Sequence, residues 1–221
     1  MTKHVVITGA NRGIGLAMVS CFKSLGYRVT GVCRQTSAEL ASAADQVIEQ
    51  IDVAKTEDVV KLANSLTGLP IDVLVCNAGI LRDESLGDLN LATIRDQFEV
   101  NALAPLNIVD KLQALLVDGG KVAMITSRMG SIADNGSGGR YGYRMSKAAL
   151  NAASMSLAHD LAPREIAVGI YHPGYVQTDM VGGRGDIPAS EAAMRLVGLI
   201  DGLTMAETGV FKHSNGQVLP W

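Results

Sequence analysis

Residues 3–20, KHVVITGANRGIGLAMVS, combine a short β-branched run, a glycine-rich turn and an apolar segment at helical spacing. The run at 3–8 predicts a buried strand, and residues 13–25 predict a helix that begins at the turn itself. Residues 27–34 are again strand-like. A strand, a helix and a second strand in this order predict a βαβ unit, the building block of a parallel sheet with right-handed crossovers.

The alternation of strand and helix continues along the rest of the chain. Thr56 is expected to cap one helix, and Pro105 to bend or break another. Residues 210–211 and 218–221 predict a final edge strand and tail. Because the strands are almost continuously apolar, we predict one doubly wound, Rossmann-like α/β domain over residues 1–221, with a parallel sheet of about seven strands and helices on both faces. The remaining strands are predicted at 47–53, 71–76, 121–126 and 166–172, and the remaining helices at 56–66, 91–117, 148–161 and 189–200.

The charges are nearly balanced, with 19 basic and 22 acidic residues and a net charge of −3. The sequence has no run of like charges, so neither nucleic acid nor an anionic membrane is an expected partner. The first apolar run is too short for a signal peptide or a membrane span, and the three cysteines lack C-x-x-C spacing. We therefore expect a cytoplasmic protein with reduced thiols. The four histidines show no ligand spacing, so no metal site is predicted.

The glycine turn TGANRGIG, residues 8–15, predicts a binding site for a dinucleotide. Gly9 permits a turn that a side chain would hinder, Gly13 lets the backbone approach a pyrophosphate, and Gly15 allows tight packing of helix on strand. The N–H groups at the start of the helix then face the anion. The G-x-x-x-G-x-G spacing differs from the usual G-x-G-x-x-G, so the position between first strand and first helix carries the prediction.

The end of the second strand predicts which nucleotide binds. Its sequence is GVCRQTSAE, with Arg34 and no acid before Glu39 that would accept hydrogen bonds from a ribose diol. Arg34 and Arg12 are predicted to bind a 2′-phosphate through bidentate, charge-assisted hydrogen bonds. NADP(H) is therefore the preferred cofactor and NAD(H) a possible one. The alternative is that both arginines are solvated surface residues.

The segment YGYRMSK, residues 141–147, offers a candidate for acid–base chemistry. Residues four apart share a helix face, so Tyr143 and Lys147 point the same way, whereas Tyr141 lies off that face. A nearby ammonium favours the phenolate, so we expect Lys147 to lower the pKa of Tyr143. Because Y-x-x-x-K is a common spacing, an exposed lysine beside a half-buried tyrosine is the alternative.

Six motifs stand in one order along the chain, four of them at the end of a predicted strand and one in the long helix. Together they resemble the short-chain dehydrogenase/reductase family over essentially the whole chain. The compact length, SRMGSI and YGYRMSKAALN further resemble its small carbonyl-reductase-like branch, which includes the bacterial C-factor proteins. The motifs are TGANRGIG at 8–15, NAG at 77–79, VNA at 100–102, TS at 126–127, Y-x-x-x-K at 143–147 and HPG at 172–174.

The resemblance implies four catalytic residues. Tyr143 would be the general acid/base, and Lys147 would lower its pKa and hold the nicotinamide ribose. Ser127 would bind the substrate oxygen, with Thr126 and Ser131 as the competing hydroxyls. Asn101 would position the lysine through a water. A helix-bending role for Asn101 remains the alternative.

The resemblance also implies a set of cofactor contacts. Asn77 would shape the floor of the site, and the turn 173–178 would bind the carboxamide side of the nicotinamide. Asp52 would meet the adenine amino group, or would be an ordinary turn residue. The implied set is Gly9, Asn11, Arg12, Gly13, Ile14, Gly15, Arg34, Asp52, Val53, Asn77, Ala78, Gly79, Tyr143, Lys147, Pro173, Gly174, Val176 and Thr178.

Two segments depart from the family pattern. Residues 127–143 form a longer, Gly- and Ser-rich stretch, and the segment after Thr178 is brief, which predicts an open or shallow substrate site of broad specificity. The expected function is an NADP-preferring oxidoreductase acting on a small-molecule carbonyl/alcohol pair, as a carbonyl reductase. The alternative is a C-factor-like signalling protein that binds dinucleotide. The resemblance implies a homodimer or homotetramer, packed through the helices at 91–117 and 148–161.

Overall fold

The computed structural model describes residues 2–221, which form nine strands and seven α-helices within that range. The strands are β1 His4–Thr8, β2 Arg28–Val32, β3 Gln46–Ile48, β4 Ile71–Cys76, β5 Leu116–Ile125, β6 Ala167–His172, β7 Val176–Gln177, β8 Ile187–Pro188 and β9 Phe211–His213. The helices are α1 Gly13–Ser24, α2 Ala38–Ala43, α3 Thr56–Ser65, α4 Leu91–Phe98, α5 Ala104–Leu112, α6 Tyr141–Leu161 and α7 Ala189–Asp201.

Seven of the strands form one parallel sheet in the order β3-β2-β1-β4-β5-β6-β9. The strands β7 and β8 form a separate parallel pair. The predicted doubly wound, seven-stranded Rossmann-like sheet is therefore confirmed. The strand order reverses between β1 and β4, and such a switch point leaves a crevice at the carboxyl ends of the strands.

Apolar helices cover both faces of the sheet. Along β1, Val6 belongs to one buried cluster while Val5 and Ile7 belong to the other, because successive strand residues point to opposite faces. The Val6 cluster includes side chains of α3, α5 and α6, and the second cluster includes side chains of α1 and α7. No helix within residues 2–221 has both the length and the apolar character to cross a bilayer.

The start of α3 differs from the prediction that Thr56 caps it. Thr56 is already helical, Lys55 occupies the cap position, and its side chain makes no capping hydrogen bond. The first turn instead carries Glu57 and Asp58, whose charges favour a helix N-terminus. The Asp58 carboxylate also accepts a 3.1 Å hydrogen bond from the Asp52 backbone N–H, which closes the turn before the helix.

The predicted long helix at 91–117 is shorter and contains a π-helical turn. Residues Glu99–Leu103 form that turn between α4 and α5, and Pro105 lies in the first turn of α5, where a missing N–H is tolerated. The helix ends at Leu112, so its predicted extension to residue 117 is wrong. Leu116 is instead buried in β5, where it pairs with Ile71.

Two other helices differ from the predictions. α6 begins at Tyr141 rather than at residue 148, so the whole YGYRMSK segment is helical. α2 was not predicted, although Ser37 marks its start by accepting a 3.1 Å hydrogen bond from the Leu40 N–H. A six-residue helix carries too little periodicity to be distinguished from a loop by sequence pattern.

α4 and α6 approach each other closely at Gly142. A Cβ on this glycine would lie 2.4 Å from Gln97 Nε2 and 3.0 Å from the Cα of Ile94. The Gly142 N–H also donates a 3.2 Å hydrogen bond to the buried carboxylate of Glu84, which accepts a second hydrogen bond of 2.7 Å from Gln97. The contact therefore fixes the start of α6 against α4.

We expect Gly142→Ala to lower the free energy of unfolding by about 1–3 kcal/mol, because the added methyl overpacks a fixed backbone contact. Gly198→Ala is the matched control. Gly198 lies in the interior of α7, and a Cβ there would meet nothing within 4 Å. That substitution should stabilise the protein by about 0.5–1 kcal/mol through helix propensity. Urea unfolding followed by circular dichroism measures both, and equal changes in the two variants would contradict the close contact.

Candidate active site

The turn after β1 has the backbone geometry that its glycines predict. Gly9 and Gly13 have φ angles of +65° and +55°, in the left-handed region that favours glycine. A Cβ on Gly15 would lie 2.2 Å from the Gly9 carbonyl oxygen, so only glycine lets α1 begin this close to the turn. Within residues 2–221, no side chain caps α1, and its first turn has no acid. The positive end of α1 is therefore available to an anion.

A cleft of about 890 Å³ extends from this turn along the carboxyl edge of the sheet. Its size, its glycine turn and the uncapped helix N-terminus fit a dinucleotide. Sequence reasoning missed several residues of its wall, including Asp179 and Gln177. The predicted cofactor residues that line it are Gly9, Asn11, Arg12, Gly13, Ile14, Gly15, Arg34, Asp52, Val53, Asn77, Ala78, Gly79 and Thr178.

The side chains of Thr8 and Asn77 join the ends of β1 and β4 at the cleft floor. Asn77 Nδ2 donates hydrogen bonds of 3.0 Å to the Thr8 carbonyl and 3.1 Å to the Gly9 carbonyl. In return, Thr8 Oγ1 accepts from the backbone N–H groups of Asn77 and Ala78 at 3.1 and 3.2 Å. Asn77 thus joins the ends of the two strands beside the cleft, and the part played by Thr8 was missed by the sequence reasoning.

The two arginines of the cleft differ in their partners. Arg12 Nη1 lies 3.2 Å from Asp179 Oδ2, in an exposed ion pair that crosses from the glycine turn to the 3-10 turn Asp179–Val181. Arg34 is exposed and has no ion pair within residues 2–221. Only Arg34 therefore has a guanidinium free of a carboxylate partner.

Asp52 lies in the wall of the cleft and also closes a turn. It lines the cleft, and its Oδ1 also accepts a 3.2 Å hydrogen bond from the Ala54 N–H, as a turn residue does.

A second cavity of about 500 Å³ adjoins the cleft. Ile14 and Thr178 line both, so the two spaces share a wall. The smaller cavity is lined by the predicted catalytic residues Ser127 and Tyr143 and by the predicted cofactor residues Pro173, Gly174 and Val176. The structure thus brings part of each set together at one edge of the sheet, while Lys147 and Asn101 line neither space.

Of the three candidate hydroxyls, that of Ser127 is best suited to meet a substrate. Ser127 and Thr126 both line the cavity, but the Thr126 hydroxyl donates a 2.7 Å hydrogen bond to Asn151. The Ser131 hydroxyl accepts from the Asp134 N–H and lies outside the cavity wall. Ser127 accepts a 3.1 Å hydrogen bond from the Met129 N–H, which leaves its own proton available to donate.

Burial dominates the pKa of Tyr143. It raises the pKa of the phenol above its usual value, while the neighbouring Ser127 hydroxyl and the charge of Arg140 act in the opposite direction. The prediction that Lys147 lowers this pKa is wrong for this structure. The Lys147 ammonium lies 5.9 Å from the centre of the Tyr143 ring and donates a 2.9 Å hydrogen bond to the Ile125 carbonyl.

Lys147 itself is buried, and desolvation lowers its pKa to about 8. The side chain is therefore still mainly protonated at pH 7. A Cβ on Gly79 would lie 3.7 Å from its Nζ and 3.2 Å from Asn101 Oδ1, so the three residues meet behind the cleft.

Asn101 lines neither cavity and is fully buried in the π-helical turn. Its amide exchanges two 2.8 Å hydrogen bonds with the backbone of Ile80, and its Nδ2 donates a third, of 3.0 Å, to Ser146. The side chain therefore ties the loop after β4 to α6. Sequence reasoning also missed the polar wall of the smaller cavity, formed by Arg128, Asp134, Arg140, Arg144 and His172.

The low pKa of Lys147 predicts how stability depends on pH. The folded state releases the lysine proton near pH 8 and the unfolded chain near pH ~10.4, so the unfolded state binds more protons between them. Wild type should gain about 2–3 kcal/mol of stability relative to Lys147→Met as pH rises from 7 to 10. Chemical denaturation across this range measures the difference. For Lys111→Met, which removes an exposed lysine, the difference in stability from wild type should not change with pH. The same pH-independent difference for Lys147→Met would contradict the burial effect.

Comparison with known proteins supports the predicted resemblance. The family model described as short chain dehydrogenase matches residues 3–187. The 1-hydroxy-2-glutathionyl-2-methyl-3-butene dehydrogenase of Rhodococcus sp. (strain AD45) is 37% identical over 223 aligned residues, covering 98% of this chain and 99% of that relative. The C-signal protein of Myxococcus xanthus is 43% identical over 161 residues, covering 72% of this chain and 96% of that protein.

A solved structure gives the same result. The NADPH-bound carbonyl reductase from chicken fatty liver superposes with a TM-score of 0.90 at 26% identity, covering 100% of this chain and 99% of that one. The predicted family resemblance is therefore confirmed by sequence and by fold. With its glycine turn, its seven-stranded parallel sheet and a family match over most of its length, this chain belongs to the short-chain dehydrogenase/reductase family of oxidoreductases.

Proposed function

We propose that this oxidoreductase is an NADP-preferring carbonyl reductase in which Tyr143 exchanges a proton with the substrate oxygen. This proposal rests on the observation that Ser127 and Tyr143 line a cavity which shares Ile14 and Thr178 with the dinucleotide cleft. A carbonyl in that cavity meets two hydroxyl donors on one side and the cofactor on the other. This arrangement suits reduction of a carbonyl or oxidation of an alcohol.

The residues of the cleft would hold the dinucleotide in the following way. The N–H groups at the start of α1 bind the pyrophosphate, Asp52 and Val53 contact the adenine, and Lys147 holds the nicotinamide ribose. The turn that contains Gly174 binds the carboxamide side. When bound in its reduced form, the nicotinamide supplies the hydride.

The proton comes from Tyr143. As the carbonyl carbon is reduced, negative charge develops on the oxygen, and hydrogen bonds from Ser127 and Tyr143 stabilise it. The phenol proton then passes to that oxygen. Because burial raises the pKa of Tyr143, the phenol is protonated at neutral pH and ready to act as the acid. Asn101 acts as a positioning residue, since it holds the loop against which Lys147 lies.

The preference for NADP(H) rests on Arg34. It lines the cleft, it is exposed, and within residues 2–221 it has no ion-pair partner. Arg12 shares the cleft but is paired with Asp179. The chicken carbonyl reductase of similar fold is NADPH-bound. NAD(H) would bind more weakly, because it lacks the phosphate that Arg34 would neutralise.

The rest of the proposal concerns the setting of the enzyme. Cys33 and Cys76 are buried free thiols, which suit the reducing cytoplasm. We propose that residues 1–221 act as a single domain, and that the chain forms a homodimer or homotetramer through α4, α5 and α6. Exposed apolar side chains on these helices, Leu91, Leu106 and Met145, support such packing.

The second candidate is a signalling protein in which bound dinucleotide, rather than turnover, matters. It is favoured by the 43% identity to the C-signal protein of Myxococcus xanthus. The relative from Rhodococcus, which covers more of the chain, is named as a dehydrogenase. An enzyme turns over a substrate, whereas the signalling protein only binds the dinucleotide. Turnover is therefore assayed in both directions of the reaction, with aldehydes and ketones for reduction and with alcohols for oxidation.

Removal of the phenol hydroxyl tests the proposal that the protein is a carbonyl reductase. Tyr143→Phe should lower kcat/KM for carbonyl reduction by about 100-fold or more, because the general acid is lost, while NADPH still binds. Tyr141→Phe removes the same hydroxyl from an exposed tyrosine at the start of α6 and should leave turnover unchanged. NADPH oxidation is the readout. Absence of turnover in wild type with every carbonyl and alcohol, alongside intact NADPH binding, would favour the signalling protein instead.

Charge reversal tests the cofactor preference. Arg34→Asp should raise the Kd for NADPH about 10- to 100-fold and leave that for NADH nearly unchanged, because a charge-assisted contact to the 2′-phosphate is replaced by repulsion. Arg28→Asp, at the opposite end of β2, is the matched control. Fluorescence titration measures the affinity of each of the three proteins for both cofactors, and equal NADPH affinity in wild type and Arg34→Asp would contradict the phosphate contact.

A further inference from the structure

The smaller cavity has a positively charged wall that the proposed reduction does not use. Three arginines, Arg128, Arg140 and Arg144, line it, and Asp134 is the only acidic residue among the lining residues. The formal charge of the wall is therefore three positive charges less one negative charge, or +2. An excess of positive charge in a concave site raises the local concentration of anions.

Two of the three guanidinium groups already have carboxylate partners. Arg128 donates two hydrogen bonds to Asp134, one from Nε and one of 3.1 Å from Nη2. Arg140 Nε lies 2.6 Å from Asp83 Oδ1. Neither arginine needs an anion from the substrate to balance its charge.

Arg144 is different, because within residues 2–221 it has no carboxylate bonded to it. Its hydrogen bonds go to neutral acceptors, at 2.9 Å to the Ser137 hydroxyl and at 3.4 and 3.5 Å to the carbonyls of Gly138 and Met129. The last two are long, so the guanidinium keeps donor capacity. Asp134 feels its charge, but the guanidinium of Arg128 is the main group that lowers the pKa of that carboxyl.

The position of Arg144 relates it to the reacting atoms. It follows Tyr143 directly on α6, it is half-buried, and both side chains line the same cavity. A substrate whose carbonyl meets Tyr143 therefore has Arg144 on the wall beside it. In a partly dehydrated cavity, an ion pair is stronger than the same pair on the open surface.

We propose that the substrate is a carbonyl compound that carries a carboxylate, and that Arg144 binds this carboxylate while the carbonyl faces Ser127 and Tyr143. The assignment rests on the proposed reductase function and adds the substrate class. The planar fork of an arginine matches a carboxylate in a bidentate pair. A doubly charged phosphate would call for a second free cation, and Arg128 and Arg140 are already neutralised.

A purely structural role for Arg144 makes a different prediction. Its contacts with Ser137, Gly138 and Met129 hold the glycine-rich loop that borders the cavity. If that were its whole function, its loss would affect charged and neutral substrates alike. Arg144→Gln separates the two roles, because glutamine keeps amide donors for the loop but carries no charge.

The experiment compares para-carboxybenzaldehyde with its neutral methyl ester, both reduced with NADPH. In Arg144→Gln, kcat/KM for the acid should fall about 10-fold or more, mainly through a higher KM, and that for the ester should stay within about twofold. Arg28→Gln removes the same charge at the opposite edge of the sheet and should change neither. An equal fall for both substrates, or no fall for the acid, would overturn the proposal.

A reciprocal variant keeps the test independent of the folding of Arg144→Gln. Asp134→Asn frees Arg128 from its carboxylate, so kcat/KM for the acid should rise severalfold relative to the ester, and no rise would count against the charged wall. If wild type reduces neither aldehyde, the proposed function fails. Calorimetric binding of para-carboxybenzaldehyde to the NADP⁺ complex then decides the carboxylate site: about 10-fold weaker binding in Arg144→Gln supports it, and equal binding overturns it.

Discussion

The pairing of β1 with β4 is the constraint on which both cavities depend. The strand order reverses at this pair, so the chain leaves the two strand ends in opposite directions and a crevice opens between them. Thr8 and Asn77 fasten the two ends to each other through four hydrogen bonds. α1 can then begin at the edge of the crevice, and its first turn supplies Ile14 to the walls of both spaces. The larger cleft and the smaller cavity are thus two results of one junction in the sheet.

Desolvation on burial shifts the pKa values of Tyr143 and Lys147 more than any single ion pair does. Burial raises the pKa of Tyr143 and lowers that of Lys147, so it favours the neutral form of each. The lysine keeps its proton at neutral pH, and its ammonium is satisfied by the Ile125 carbonyl rather than by a phenolate. A neutral phenol is the state that the proposed proton transfer from Tyr143 requires. The half-buried guanidinium of Arg144 adds positive electrostatic potential at the wall of the smaller cavity.

The sequence predicts the features that local pattern determines. The apolar strands, the glycine turn and the helical spacing of Tyr143 and Lys147 each depend on a few neighbouring residues, and the parallel sheet follows from their alternation. Features that depend on distant contacts were missed or misread. The start of α6 depends on Glu84 and Gln97, the wall of arginines on the return of a long loop, and the direction of the Tyr143 pKa shift on burial. None of these distant contacts or burial effects can be predicted from residue spacing alone.

The π-helical turn at Glu99–Leu103 has a consequence for the evolution of the chain. Such a turn is equivalent to the insertion of one residue into an α-helix, and each residue rotates the helix by about 100°. The insertion lets α4 direct Gln97 and the turn itself direct Asn101 toward α6, while α5 still buries Ile108 and Leu112 in the core. Replacement of an exposed residue such as Leu103 changes few contacts, whereas the deletion of one residue would shift the phase of everything after it. The segment is therefore more sensitive to changes in length than to replacement of its exposed side chains.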